Sequence, residues 1–229
     1  MLEMFKVDAY FDTTKTMANP LFGSVEYPWE ILPMLDNFIR QLGPMLSPDE
    51  FEQRGEDVWI SKSAKVAESA SITGPCIIDA NAQIRHCAFI RGSVIVGKGA
   101  VVGNSCEIKN SLLFDEVEVP HFNYVGDSVL GYKAHLGAGA ITSNIKNDKK
   151  NVEVHFPMGK IATNLRKMGA IVGDYVQVGC NCVLNPGSVI GKKTRIYPLN
   201  SIRGWVEENH IYKDKNNESE IMDNYYEEQ

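Results

Sequence analysis

Arg91 and Lys109 stand 18 residues apart, and each directly follows an aliphatic residue, Ile90 and Ile108. If the chain returns on itself every 18 residues, the two cations share one edge in adjacent turns, roughly 4.8 Å apart in backbone. Two cations so placed repel unless an anion joins them. A phosphate suits the pair, because Arg offers a planar fork and Lys a point charge. The alternative is that both side chains diverge into solvent. His121 lies 12 residues past Lys109, in Val119-Pro120-His121-Phe122-Asn123-Tyr124, near one turn further along. A neutral imidazole beside a phosphate pocket can serve as a general base; a structural histidine is the alternative. Zinc is not expected. It needs three well-placed imidazoles, yet His121 and His135 are 14 apart and Cys180-Asn181-Cys182 is not a C-x-x-C pair.

The turn that would stack these residues is written in the spacing. An aliphatic residue, once Phe, returns every sixth position at Ile60, Val66, Ile72, Ile78, Ile84, Ile90, Val96, Val102, Ile108 and Phe114. The series resumes as Val172, Val178, Leu184, Ile190, Ile196 and Ile202, and small residues such as Ala82, Ala88, Ala100, Cys106 and Cys182 follow four positions later. A period of six fits neither helix nor ordinary strand. It predicts a parallel β-helix in which three hexads make one triangular coil. The phase slips between Phe114 and Leu136, with five-residue steps from Pro120 to Val125 and from Val125 to Leu130. The hexads then vanish in a polar loop, 143–169, which carries Lys146, Lys149, Lys150, Lys160, Arg166 and Lys167. Long loops in compact repeats are often functional.

Three regions follow: an N-terminal helical extension over 1–57, a solenoid over 58–206, and an acidic tail or arm over 207–229. In the first, Pro28 opens and Gly43 closes an amphipathic pattern of Ile31, Leu32, Leu35, Phe38, Ile39 and Leu42. This helix is expected to cap the first coil or to pack on a neighbouring subunit. No apolar run is long enough for a membrane span, and the acids in MLEMFKVDAYFD speak against a secretory signal. Five cysteines, three of them in small-residue slots, fit a reducing, cytoplasmic setting. A net charge of −6 argues against nucleic acid as a partner.

The run His121-Phe122-Asn123-Tyr124-Val125-Gly126-Asp127, followed by Leu136-Gly137-Ala138-Gly139-Ala140-Ile141-Thr142-Ser143-Asn144, resembles the acetyltransferase domain of the bifunctional glucosamine-1-phosphate acetyltransferase/N-acetylglucosamine-1-phosphate uridylyltransferase family. Val102 to Lys109 resembles it too, and the match spans roughly 58–206. The resemblance implies a left-handed parallel β-helix that trimerises, with active sites between subunits. It implies acetyl-CoA as cosubstrate and His121 as the base that deprotonates the sugar amine. It implies Arg91 and Lys109 as holders of the sugar phosphate, Tyr124 and Lys150 as further contacts to it, and Glu107 as a carboxylate beside the sugar. Ala138, Asn144 and Cys180 match positions near the coenzyme. His135 stands where the family has a sugar-touching asparagine, so the amino-sugar isomer is open. The uridylyltransferase half has no counterpart in 1–57, and that activity is not expected.

The expectation is therefore an acetyl-CoA-dependent N-acetyltransferase acting on a hexosamine 1-phosphate. The alternatives are an acyltransferase for another amino sugar or a nucleotide-linked amino sugar, and a non-catalytic solenoid subunit associated with sugar nucleotidyltransferases.

Overall fold

The computed structural model describes residues 3–214 and 217–221. Short strands repeat around a triangular prism and stack into three long sheets of nine, nine and seven strands. Face 1 runs from Val58–Ser61 through Cys76–Ile78, Val94–Val96, Ser111–Leu113, Val129–Leu130, Ala170–Val172 and Ser188–Ile190 to Trp205–Val206. Face 2 includes Gln83–Ile84, Val101–Asn104, Glu118–His121, His135–Leu136 and Gln177–Val178. Face 3 includes Phe89–Ile90, Glu107–Lys109, Tyr124–Gly126, Ile141–Thr142 and Val183–Leu184. Within the solenoid all of these pairings are parallel, as the hexads require. The aliphatic hexad residues fill the prism: Ile78, Ile84, Ile90, Val102, Ile108, Leu136 and Leu184 are at most 1% exposed.

Each corner stacks residues with positive φ. Between faces 2 and 3 these are Cys87, Ser105, Phe122, Gly139, Asn181 and Leu199, with φ from 54° to 72°. The left-handed conformation turns the chain sharply enough to start a new face within one residue. The small residue that follows (Ala88, Cys106, Ala140, Cys182) points inward and is buried, because the narrow corner admits little more than a methyl or thiol.

Phe114 is not the interior residue of its hexad. Leu113 pairs with Val96 below and Leu130 above, so the interior series steps by five from Ile108 to Leu113 and again from Val125 to Leu130. Pro120 is likewise off the interior series, since Val119 pairs with Val102. Both shortened steps fall at the corner between faces 3 and 1, where Asn110 and Asp127 take φ of 44° and 47°. Phe114 is thereby turned outward, where its ring meets Phe11 at 4.9 Å and Phe22 at 5.8 Å between centroids.

That contact belongs to a longer feature. Residues 3–50 run the length of face 1 instead of sitting over the first coil. Tyr10 and Asp12 are bonded to Asp174, Lys192 donates to the Asp8 carbonyl at 2.9 Å, and Asp36 accepts from Ser93 at 3.0 Å. Under this strap the outward residues Ile77, Ile95, Leu112, Val129, Ile171 and Val189 are fully buried, so face 1 is apolar on both sides. The predicted amphipathic helix forms as a 3-10 segment, Pro28–Met34, continuing into α-helix Leu35–Leu42. Pro33 lacks an N–H and clashes with a regular helical turn, which accounts for the change in winding. At the other end His210–Asp214 extends face 2 and pairs with Asn217–Ile221. The rest of the expected acidic tail, 215–216 and 222–229, lies outside the described residues. No helix among the described residues is long and apolar enough to cross a membrane.

Candidate active site

Arg91 and Lys109 do stack. Ile90 pairs with Ile108, and the Arg91 N–H donates to the Ile108 carbonyl at 2.9 Å. Their charges are balanced within the chain by two carboxylates. Arg91 Nη1 lies 2.6 Å from Glu107 Oε1, and Lys109 Nζ lies 3.4 Å from Asp127 Oδ2. Glu107 in turn pairs in register with Phe89 below and Tyr124 above. The guanidinium–carboxylate bond raises the Arg91 pKa. Burial, then the nearby carboxylates of Asp127 and Glu107, push the Tyr124 phenol upward, so it stays a protonated hydroxyl.

At the corner between faces 3 and 1, the chain gathers side chains from three successive coils. The buried Asp127 accepts from Asn110 Nδ2 at 2.8 Å and from Asn144 Nδ2. Asn144 Nδ2 also reaches the Tyr124 hydroxyl at 3.1 Å. Gly126 makes this possible: a Cβ there would stand 2.5 Å from Tyr124 Oη and 2.8 Å from Asn144 Nδ2. The inserted loop leaves from this corner at Asn144 and returns at Met168, whose N–H donates to the Asn144 carbonyl at 3.0 Å. The loop folds into the hairpin Glu153–Phe156 and Gly159–Ala162. Phe156 of the hairpin packs on Phe5. Lys150 lies on this loop, exposed, with its N–H bonded to Asp148, and no contact joins it to Arg91 or Lys109.

His121 is elsewhere. It does not follow Lys109 by one coil on the same edge. It ends its strand on face 2, opposite Asn104, at the corner where face 3 begins. Ala138 stands one coil on, where the Gly139 N–H donates to the His121 carbonyl at 3.0 Å, and Cys180 one further, where the Asn181 N–H donates to the Ala138 carbonyl at 2.8 Å. His121, Ala138 and Cys180 thus form one column along a corner, and Cys180 is exposed. The His121 imidazole and the Ala138 N–H have no hydrogen-bond partner among the described residues. His135 is in mid-face 2, bonded through Nδ1 to Glu118 at 2.9 Å. The expected site residues therefore divide between the 2–3 corner column, face 3 with the 3–1 corner, the loop, and face 2.

One residue that sequence reasoning passed over is Asn123. It occupies the inward slot filled by Cys106 and Ala140 in the adjoining coils, and it is 3% exposed. Its amide donates to the Gly137 and Ala140 carbonyls at 2.8 and 3.1 Å and accepts from the His121 N–H at 3.1 Å. It therefore ties the His121 turn to the Ala138 turn. Its signal was present: a polar residue in a slot otherwise reserved for Ala and Cys.

Residues 72–194, more than half of the chain, match the model of the GMPPB C-terminal domain. The chain is 33% identical over 215 residues to the bifunctional protein GlmU of Methanococcus maripaludis strain C5, covering 85% of this chain and 48% of that protein. It is 33% identical over 177 residues to a bifunctional sugar-1-phosphate nucleotidylyltransferase/acetyltransferase of Sulfurisphaera tokodaii, covering 75% and 43%. It thus spans about half the length of these relatives. Over 212 residues it is 35% identical to the uncharacterized acetyltransferase YaiX of Escherichia coli O6:K15:H31, covering 85% of this chain and 87% of that one. With the hexad solenoid and the stacked Arg91 and Lys109 already in place, these matches show that the chain belongs to the hexapeptide-repeat acetyltransferase family that includes the acetyltransferase regions of the bifunctional GlmU proteins.

Proposed function

We propose that the chain is an acetyl-CoA-dependent N-acetyltransferase acting on a hexosamine 1-phosphate, with His121 as general base. The observation that carries the reading is the face 3 column, in which Arg91, Lys109 and Tyr124 offer donors to a phosphate while Glu107 stands beside them for a sugar hydroxyl or amine. A sugar phosphate bridging Arg91 and Lys109 would replace part of their pairing with Glu107 and Asp127 by charge-assisted bonds to phosphate oxygens.

The chemistry asks for orientation and one proton transfer. His121 takes a proton from the substrate ammonium or from the attacking amine. The amine nitrogen then forms a bond to the thioester carbonyl carbon of acetyl-CoA, and the carbonyl oxygen carries the developing charge. The Ala138 N–H, one coil from His121, is free to donate to that oxygen. Collapse of the intermediate breaks the carbon–sulfur bond, and the proton that the acylated nitrogen loses passes by way of His121 to the departing thiolate. The products are the N-acetylated sugar phosphate and the free coenzyme thiol. Asn144, Cys180 and the cations of the inserted loop are the proposed coenzyme contacts, with Lys150 available to the sugar phosphate.

His121 and the phosphate donors lie at opposite ends of face 3, which supports a site completed between subunits of a homotrimer. Face 1 is covered by the strap, so the surfaces available for that assembly are faces 2 and 3. His135, already bonded to Glu118, favours a substrate preference different from relatives that carry an asparagine there. The test is thiol release from acetyl-CoA with glucosamine 1-phosphate and with galactosamine 1-phosphate, on wild type and His121→Ala. Release that disappears in the variant supports the reading, and no release with either sugar sinks it.

A further inference from the structure

Asp127 takes no direct part in the bond-making above, yet it is a buried carboxylate bonded to three side chains. It is 4% exposed, and both of its oxygens face donors: Asn110 Nδ2 on one, Lys109 Nζ and Asn144 Nδ2 on the other. A carboxylate accepts hydrogen bonds and donates none. It can face Asn144 only if the NH₂ end of that amide turns inward. One N–H of Asn144 then goes to Asp127 and the other to Tyr124 Oη, 3.1 Å away. Because Tyr124 Oη accepts this bond, its own O–H points away from Asn144, toward the outer surface where Arg91 and Glu107 stand. The Asn144 Oδ1 is left as an acceptor on the other side.

We propose that Asp127 is a positioning residue that sets the direction of a hydrogen-bond relay, Asp127 to Asn144 to Tyr124. Face 3 thereby presents the Tyr124 hydroxyl as a donor to an anionic oxygen and Asn144 Oδ1 as an acceptor for an N–H group. This rests on the proposed acetyltransferase reading for the identity of the two ligands, but not for the relay itself. Asn110 and Asp127 stand at the two shortened corners, between Ile108 and Leu113 and between Val125 and Leu130, and are hydrogen-bonded across adjacent coils.

The relay is read directly by the side-chain amide resonances of Asn144 in isotope-labelled protein. Both N–H protons should be shifted and slowed in exchange in the wild type, and Asp127→Asn, which can present either end of its amide, should return at least one toward the free-amide position. In kinetics, Asp127→Asn should raise KM for the sugar phosphate about tenfold, the scale of one lost hydrogen bond, and change kcat much less. Tyr124→Phe should do the same. The double variant should lie within about threefold of Tyr124→Phe alone, because both break one relay. If Asp127→Asn does not fold, Asn144→Leu breaks the same link with the buried carboxylate intact and should show the same coupling to Tyr124→Phe. Unchanged Asn144 resonances, or fully multiplicative KM effects, overturn the proposal. Absence of any transferase activity in the wild type would reject the acetyltransferase reading, and the Asn144 resonances would still decide the relay.

Discussion

At the scale of single residues, the site is built from side chains that occupy one another's bonding capacity. The Tyr124 hydroxyl reaches over Gly126, into the space that a Cβ there would fill. Gly126→Ala should push the phenol and the Asn144 amide aside, since the added methyl would meet both side-chain ends. Both can swing away, so the expected result is a clear rise in KM for the sugar phosphate with an unfolding midpoint close to wild type. A midpoint that falls instead would mean that the strand itself has been displaced. Asp79 is a contrasting case, away from the site. It is 3% exposed, its Oδ2 has no hydrogen-bond partner among the described residues, and burial raises its carboxyl pKa. A raised carboxyl binds its proton more tightly in the folded state, so its contribution to stability is full in acid and is lost as pH rises through its folded value. Asp79→Asn should therefore raise the unfolding temperature at pH 7, and the gain should vanish below about pH 4, near the unfolded carboxylate. A gain independent of pH would contradict this account.

At the scale of elements, corner and strap divide the work. The corners fix where side chains stack, and their left-handed residues recur coil after coil. The strap decides which face is left open. Phe11, 3% exposed, lies between Phe22 and Phe114 at the middle of the strap. Phe11→Ala should cost about 3 kcal/mol of stability, in the range for a deleted buried aromatic ring. It should also loosen residues 3–50 from face 1, seen as faster amide exchange along the strap and new binding of a hydrophobic dye. Protection unchanged along the strap would show that Phe11 is dispensable to its docking. The strap had a trace in the sequence. Every third hexad carries two adjacent aliphatics (Ile77-Ile78, Ile95-Val96, Leu112-Leu113, Val129-Leu130, Ile171-Val172, Val189-Ile190), whereas on the other two faces such pairs are sporadic, as at Val101-Val102 and Val183-Leu184. An outward aliphatic on one face of three, repeated each coil, announces a cover over that face.

At the scale of the whole molecule, His121 and the pair Arg91 and Lys109 flank opposite ends of face 3, and the site proposed here is one completed between subunits. His121→Ala and Lys109→Ala subunits, each inactive alone, should complement when refolded together. Random assortment in a closed ring would restore roughly a quarter of the sites. No recovery in a verified mixed assembly would place the site inside a single chain. The sequence by itself determined the solenoid, since a hexad repeat has one way to bury its aliphatic residues, and it determined the stacking of Arg91 on Lys109, since stacking follows from spacing alone. It also offered His121, through the HFNY block, as the candidate base. It misassigned Phe114, because a one-residue deletion at a corner moves the interior position without changing the apolar character of the segment. The tertiary structure decided what depends on direction and neighbours across coils: that His121 stands at the far corner from Lys109, that both cations carry their own carboxylates, and that residues 3–50 seal face 1. Spacing fixes which turn a residue belongs to, but the geometry of each corner fixes where its side chain goes.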